Sequence, residues 1–140
     1  MPAKTEIVYD GNLRCHVLHR PSQQTIPTDV PVEKGGTGSA ISPMDLFSSS
    51  LGACMVTVMG MAAQRCNLDI TGAHVEVTQQ SPLAPSHAPG PINIKITLPK
   101  NDLPLSPADV ELLAAAAKNC PVKHMLHPDL HVVTEVVSGQ

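Results

Sequence analysis

Two cysteines define the chemistry open to this chain. Cys54 falls at the centre of Ser42 to Asn67, SPMDLFSSSLGACMVTVMGMAAQRCN, a run that reads as one long helix. From Leu46 to Ala63 it carries no charge, and a helix apolar on every face must be covered on every face. A thiol at its middle is either a small hydrophobe packed into a core or a nucleophile sheltered from water. Cys120 is placed differently, between Asn119 and Pro121. There it takes the N-cap of a short helix over Pro121–Leu126, where free N–H groups and positive potential stabilise a thiolate. Such a thiol can attack or resolve; the plain alternative is a helix break that happens to contain cysteine. His124, one turn on, could stabilise that thiolate.

The other candidate groups read more simply. Cys15 and Cys66 are expected to be packing residues. Four cysteines are too sparse for a disulfide scaffold, so in a reducing compartment they are catalytic, metal-binding or inert. Cys120, His124, His127 and His131 raise the idea of zinc, but Pro128 interrupts the run and His131 falls on a strand, so no tetrahedral spacing emerges. No metal and no cofactor is expected. His16, His19, His74 and His87 are read as surface residues. Lys34–Ser39 (KGGTGS) is a flexible glycine-rich loop without the lysine-serine ending of a phosphate loop.

The elements that must position these thiols follow from pattern. Thr5–Tyr9 and Leu13–Arg20 read as strands around Asp10-Gly11-Asn12, a hairpin signal. In the second, Leu13, Cys15 and Val17 share one face, and Arg14, His16, Leu18 and Arg20 the other. A third short strand near Thr25–Asp29 contains Pro27, which points to a sheet edge. Ser42, Pro43 and Asp45 open the long helix as N-cap, first residue and N3, and Asn67 suits its stop. Ser106, Pro107, Ala108 and Asp109 repeat that grammar for an alanine-rich helix to Asn119. Ala73–Gln79 and Ile92–Leu98 alternate as strands, with a proline-rich loop at Ser81–Pro91 between them. Leu130–Val137 is the last strand. The order βββαββααβ, with hairpin-like connections, predicts an α+β fold with antiparallel sheet in one domain, residues 1–140.

Bulk properties exclude some functions. A net charge of −3, a pI near 6.1 and only two aromatics, Tyr9 and Phe47, leave neither a basic footprint nor a stacking platform for nucleic acid. The uncharged run is at the lower edge of a membrane span, but its three serines, a threonine and two glycines mark a core helix. Met1 to Asp10 is polar and lacks a signal pattern, so a cytoplasmic protein is expected. One small sheet and one short helix cannot cover a helix that is apolar all round, which predicts an obligate homodimer.

The segment SPMDLFSSSLGACMVTVMGMAAQR, with Ser-Pro, a carboxylate and Leu-Gly-Ala-Cys, resembles the central helix of the OsmC/Ohr family of osmotically inducible and organic hydroperoxide resistance proteins. NCPVKHMLHPDLHV resembles that family's second cysteine motif, and the strand and helix order fits across the chain. The closest branch is the less characterised OsmC-like one. The resemblance implies antiparallel sheets wrapped around long central helices in an intertwined dimer, with active sites at the subunit interface. It implies a thiol-dependent peroxidase. Cys54 would attack the O–O bond and become a sulfenic acid, Cys120 would resolve it as a disulfide, and an external dithiol, lipoyl or small thiol, would clear it. An apolar surround suits organic hydroperoxides.

In the family an arginine of the N-terminal sheet activates the thiol, held by a glutamate early in the central helix. Arg14 is the candidate here, with Arg20 on the same face; as plain residues, both read as solvated strand charges. The peroxidase branches carry their glutamate ten positions before the cysteine, where this chain has Met44. Asp45, nine before, resembles the less characterised branch and is also explained by helix N-terminal electrostatics. Two other readings stand beside the peroxidase: a non-catalytic dimer holding a small hydrophobic ligand, and a thiol redox sensor.

Overall fold

The computed structural model describes residues 1–80, 90–101 and 103–139; the proline-rich stretch read as a loop falls almost wholly outside them. Its contacts divide the chain into two units, Met1–Phe47 and Ser48–Gln140. The element order among the described residues matches the pattern read from the sequence.

The first unit is a three-stranded antiparallel sheet, β1 (Thr5–Gly11), β2 (Arg14–His19) and β3 (Gln24–Thr28), in that order. β3 is an edge strand of the sheet, as Pro27 required. The β1–β2 reversal lies one residue later than Asp10-Gly11-Asn12. Gly11 pairs with Arg14 across a register shift, and the turn is Asn12-Leu13, with φ of 52° and 62°. A two-residue hairpin turn of type I′ has both central residues at positive φ. Leu13 therefore belongs to the turn, not to the strand face shared by Cys15 and Val17. The glycine-rich segment is not a loose loop. A short 3-10 turn at Val32–Lys34 opens it, and it returns along β3 through a parallel bridge between Thr28 and Ile41.

The second unit holds most of the long helix, α1 (Pro43–Arg65), which begins in the first. It continues through β4 (His74–Gln79), β5 (Ile92–Leu98), α2 (Pro107–Lys118), α3 (Pro121–His124) and β6 (Val132–Ser138). α1 stops where expected. Asn67 adopts φ 54°, the Leu68 N–H donates to the Ala63 carbonyl at 2.8 Å, and the Asn67 N–H donates to that of Gln64 at 3.3 Å. These are the two bonds of a Schellman cap. The sheet departs from the antiparallel expectation at one pair: β4 and β5 run antiparallel, but β6 lies parallel to β5. The reason is the connection, since α2 and α3 carry the chain back across the sheet as a crossover rather than a hairpin.

The core packs Ile92, Ile94, Ile96 and Leu98 of β5 with Leu51, Met55, Met59 and Ala63 of α1 and Leu113 and Ala117 of α2. Their spacing on α1 is a single stripe. Only 33% of its apolar window is buried, while Ala53, Thr57 and Met61 are exposed. By length and composition α1 could cross a membrane, but its buried stripe makes it the core helix of this unit.

Gly52 lets α1 approach β4. A Cβ there would lie 2.8 Å from Val77 Cγ2 and 3.2 Å from Val75 Cγ1. Gly52→Ala gains about 1 kcal/mol of helix propensity but forces an overpacking cost of about 1–3 kcal/mol. Gly52→Val forces more and also lacks the full propensity gain. We expect a lower urea midpoint for both, larger for valine, with the slope of the transition unchanged. A stabilised valine variant would contradict this packing.

Candidate active site

The second unit brings Cys54 and Cys120 together. Cys54 sits midway along α1, half-buried against the core cluster, and Cys120 belongs to that cluster and is fully buried. Both are free cysteines, and they lie close enough that the Cys54 thiol helps to push the Cys120 thiol up. α1 delivers one thiol by its apolar stripe. The break between α2 and α3 delivers the other, because Pro121 cannot continue α2.

Cys120 is the N-cap of α3, as expected, and its Sγ accepts from the Lys123 N–H at 3.4 Å. The thiolate expected from that position does not follow. Burial and the adjacent Cys54 thiol push the Cys120 thiol up, against the opposing Lys123 and Val122 N–H groups. α3 has only four residues, and desolvation of a sealed sulfur disfavours the charged form. Burial thus favours the neutral thiol at Cys120. His124 is exposed, and its backbone N–H donates to the Cys120 carbonyl at 3.3 Å.

This ordering predicts labelling rates. Cys66 is exposed, Cys54 half-buried and Cys120 sealed. A disulfide reagent added to the reduced native protein should modify Cys66 first and Cys120 last, as read by mass spectrometry over time. Early modification of Cys120 would contradict its burial.

Arg14 and Asp45 both belong to the first unit. Arg14 is the exposed first residue of β2, opposite Gly11, and makes no ion pair among the described residues. Arg20 is already paired with Glu6 of β1. Asp45 takes part in the cap of α1: its N–H donates to Ser42 Oγ at 3.1 Å, and the Ser42 hydroxyl donates to its carboxylate at 2.7 Å. One residue of this unit was missed in the sequence. Asp29 is a fully buried carboxylate held well below the usual range by hydrogen bonds from Thr37 and Ser39. The available signal was an acid followed closely by hydroxyls in a glycine-rich stretch, Asp29, Thr37 and Ser39. Among the described residues no cluster of three or more histidines, cysteines or carboxylates could hold a metal.

The chain belongs to the OsmC-like protein family, whose profile matches residues 36–135. A Psychrobacter arcticus protein named for osmotic stress induction and a detoxification response is similar at 32% identity and a TM-score of 0.86, covering 99% of this chain and 97% of that one. The organic hydroperoxide resistance protein OsmC of Legionella pneumophila shares the fold at 20% identity and a TM-score of 0.70, over 96% and 97% of the two chains. An organic hydroperoxide resistance protein of Elizabethkingia anophelis does so at 14% identity and a TM-score of 0.74, over 99% of both. No curated protein matches the sequence.

Proposed function

We propose that this protein is a cysteine peroxidase that reduces organic hydroperoxides, in keeping with the peroxide-resistance role of its family. The observation that carries the reading is that Cys54 packs against the buried cluster that holds Cys120, although the two are far apart in sequence. The Cys54 thiolate attacks the distal peroxide oxygen, the O–O bond breaks, and the alkoxide leaves as the alcohol after taking a proton. Cys54 is then a sulfenic acid. The Cys120 sulfur attacks the Cys54 sulfur, hydroxide leaves, and the Cys120 proton completes a molecule of water. An external dithiol, lipoyl or small thiol, reduces the resulting disulfide and is itself oxidised.

Arg14 is the activating cation and Asp45 its carboxylate partner in this proposal, within one domain that works as a cytoplasmic homodimer. The uncovered faces of α1 support the dimer, as do the exposed Ile7 and Tyr9 of β1, at 67% and 65%. Light scattering on the eluting peak should give twice the 14.7 kDa chain mass; a monomer at micromolar concentration would contradict it. The function itself is tested by hydroperoxide consumption with a dithiol reductant. The wild-type protein should turn over, and Arg14→Ala should lower kcat/KM by about tenfold to a hundredfold through the lost cation. No consumption above background by the wild-type protein would overturn the reading. The capping role of Asp45, with Met44 where the peroxidase branches carry glutamate, favours one rival: a dimer that holds a small hydrophobic ligand without turnover. An inert Cys54 together with a copurified ligand would establish it.

A further inference from the structure

We infer that Asp29 is a positioning residue that fixes Arg14 and Asp45 relative to each other within the N-terminal unit. The inference rests on the proposed activation of Cys54 by Arg14.

Burying a carboxylate is costly unless donors surround it. Asp29 has such donors, and all come from the segment that joins β3 to α1. Oδ1 accepts from the Val30 N–H at 2.7 Å. Oδ2 accepts from the Thr37 hydroxyl, the Ser39 N–H at 2.9 Å and the Ser39 hydroxyl at 2.8 Å. The segment is folded tightly around this centre. The Gly38 N–H donates to the Val30 carbonyl at 3.0 Å, and a Cβ on Gly36 would lie 1.8 Å from that same oxygen. No side chain fits at Gly36, so the loop has little freedom to relax.

Both candidate residues are tied to this loop. On one side, the Asp29 N–H donates to the Ile41 carbonyl at 3.2 Å, and the next residue, Ser42, caps α1 with Asp45. On the other side, Thr28 pairs with Cys15, the neighbour of Arg14 on β2. The turn before Arg14 also meets the loop: a Cβ on Gly35 would stand 3.8 Å from Leu13 Cδ1. Asp29 is therefore the shared anchor of the strand carrying Arg14 and the helix start carrying Asp45. An asparagine cannot replace it fully, because its amide presents an N–H group toward at least one of these donors.

The test is the single-turnover rate of Cys54 oxidation by cumene hydroperoxide in Asp29→Asn, Arg14→Ala and the double variant, with folding checked by circular dichroism. We expect Asp29→Asn to slow the reaction by about tenfold or more. The double variant should be no slower than Arg14→Ala, because both changes remove the same positioned cation. A purely structural Asp29 would give losses that multiply. Ser39→Ala removes one donor and keeps the carboxylate; it should slow the reaction severalfold with the same non-additivity, and it serves if Asp29→Asn does not fold. A wild-type rate in the folded Asp29 or Ser39 variant, beside a slowed Arg14→Ala, would overturn this inference alone. A wild-type rate in Arg14→Ala would overturn the activation on which it rests.

Discussion

Cys54→Ser should abolish hydroperoxide turnover, by roughly 10³-fold or more, while leaving the fold and the oligomer intact. The size follows from the role, since removing the nucleophile of a covalent mechanism removes the bond-forming step. A serine hydroxyl at a mid-helix position is a far poorer nucleophile than a thiolate. The fold should survive because Cys54 is half-buried at the margin of the core, and because a serine in a helix can donate to the carbonyl one turn back. Thr57 already does so in α1, its hydroxyl donating to the Ala53 carbonyl at 2.7 Å. The measurement is peroxide consumption at matched elution volume and helical content. Retained turnover would place the chemistry elsewhere.

The second large effect is expected of Cys120→Ser, and it differs in kind. The first turnover should proceed at the wild-type rate, because Cys54 still attacks. The cycle should then stop, since a hydroxyl cannot form the disulfide that the external dithiol clears. Steady-state turnover should fall by roughly 10²-fold, with Cys54 trapped as a sulfenic acid and driven to sulfinic acid by excess peroxide. The substitution suits the question because serine is a better N-cap than cysteine. It keeps an acceptor for the Lys123 N–H that now reaches the Cys120 sulfur at 3.4 Å. α3 should therefore be preserved, and loss of turnover cannot be ascribed to loss of the helix. A burst of one equivalent followed by arrest is the expected trace. Sustained turnover would mean that an external thiol meets the sulfenic acid directly.

Much of the fold was legible because local and global signals agreed. Ser42, Pro43 and Asp45 begin α1 where their capping chemistry says, and Asn67 ends it at positive φ. The alternation of Ile92, Ile94, Ile96 and Leu98 marks a strand with one apolar face, and these are among the most buried of the described residues. What could not be read was set by non-local geometry. The parallel pairing of β5 with β6 depends on how two helices cross the sheet, and no pattern within either strand encodes it. The turn at Asn12-Leu13 put a leucine at positive φ, where sequence preference favours Asn and Gly.

The site divides the same way. Cys54 and Cys120 stood out by position, one mid-helix and one at a proline-marked break. Their pairing is implied only by the family resemblance; the structure places both in one core cluster. The N-cap at Cys120 is visible in sequence, while the burial that pushes its thiol up is not. Asp29 is not legible because three of its four donor groups lie eight and ten residues away on a loop that composition alone makes look flexible. Its role depends on hydroxyls folding back onto one carboxylate.

The central claim is that Cys54 and Cys120 form one redox-active pair. It is tested most directly by adding one equivalent of cumene hydroperoxide to the reduced protein and mapping the oxidised cysteines by peptide mass spectrometry. A Cys54–Cys120 disulfide is the expected dominant product, with Cys15 and Cys66 still reduced. A protein whose Cys54 remains an unreacted thiol, or whose oxidation falls on Cys66, would contradict it.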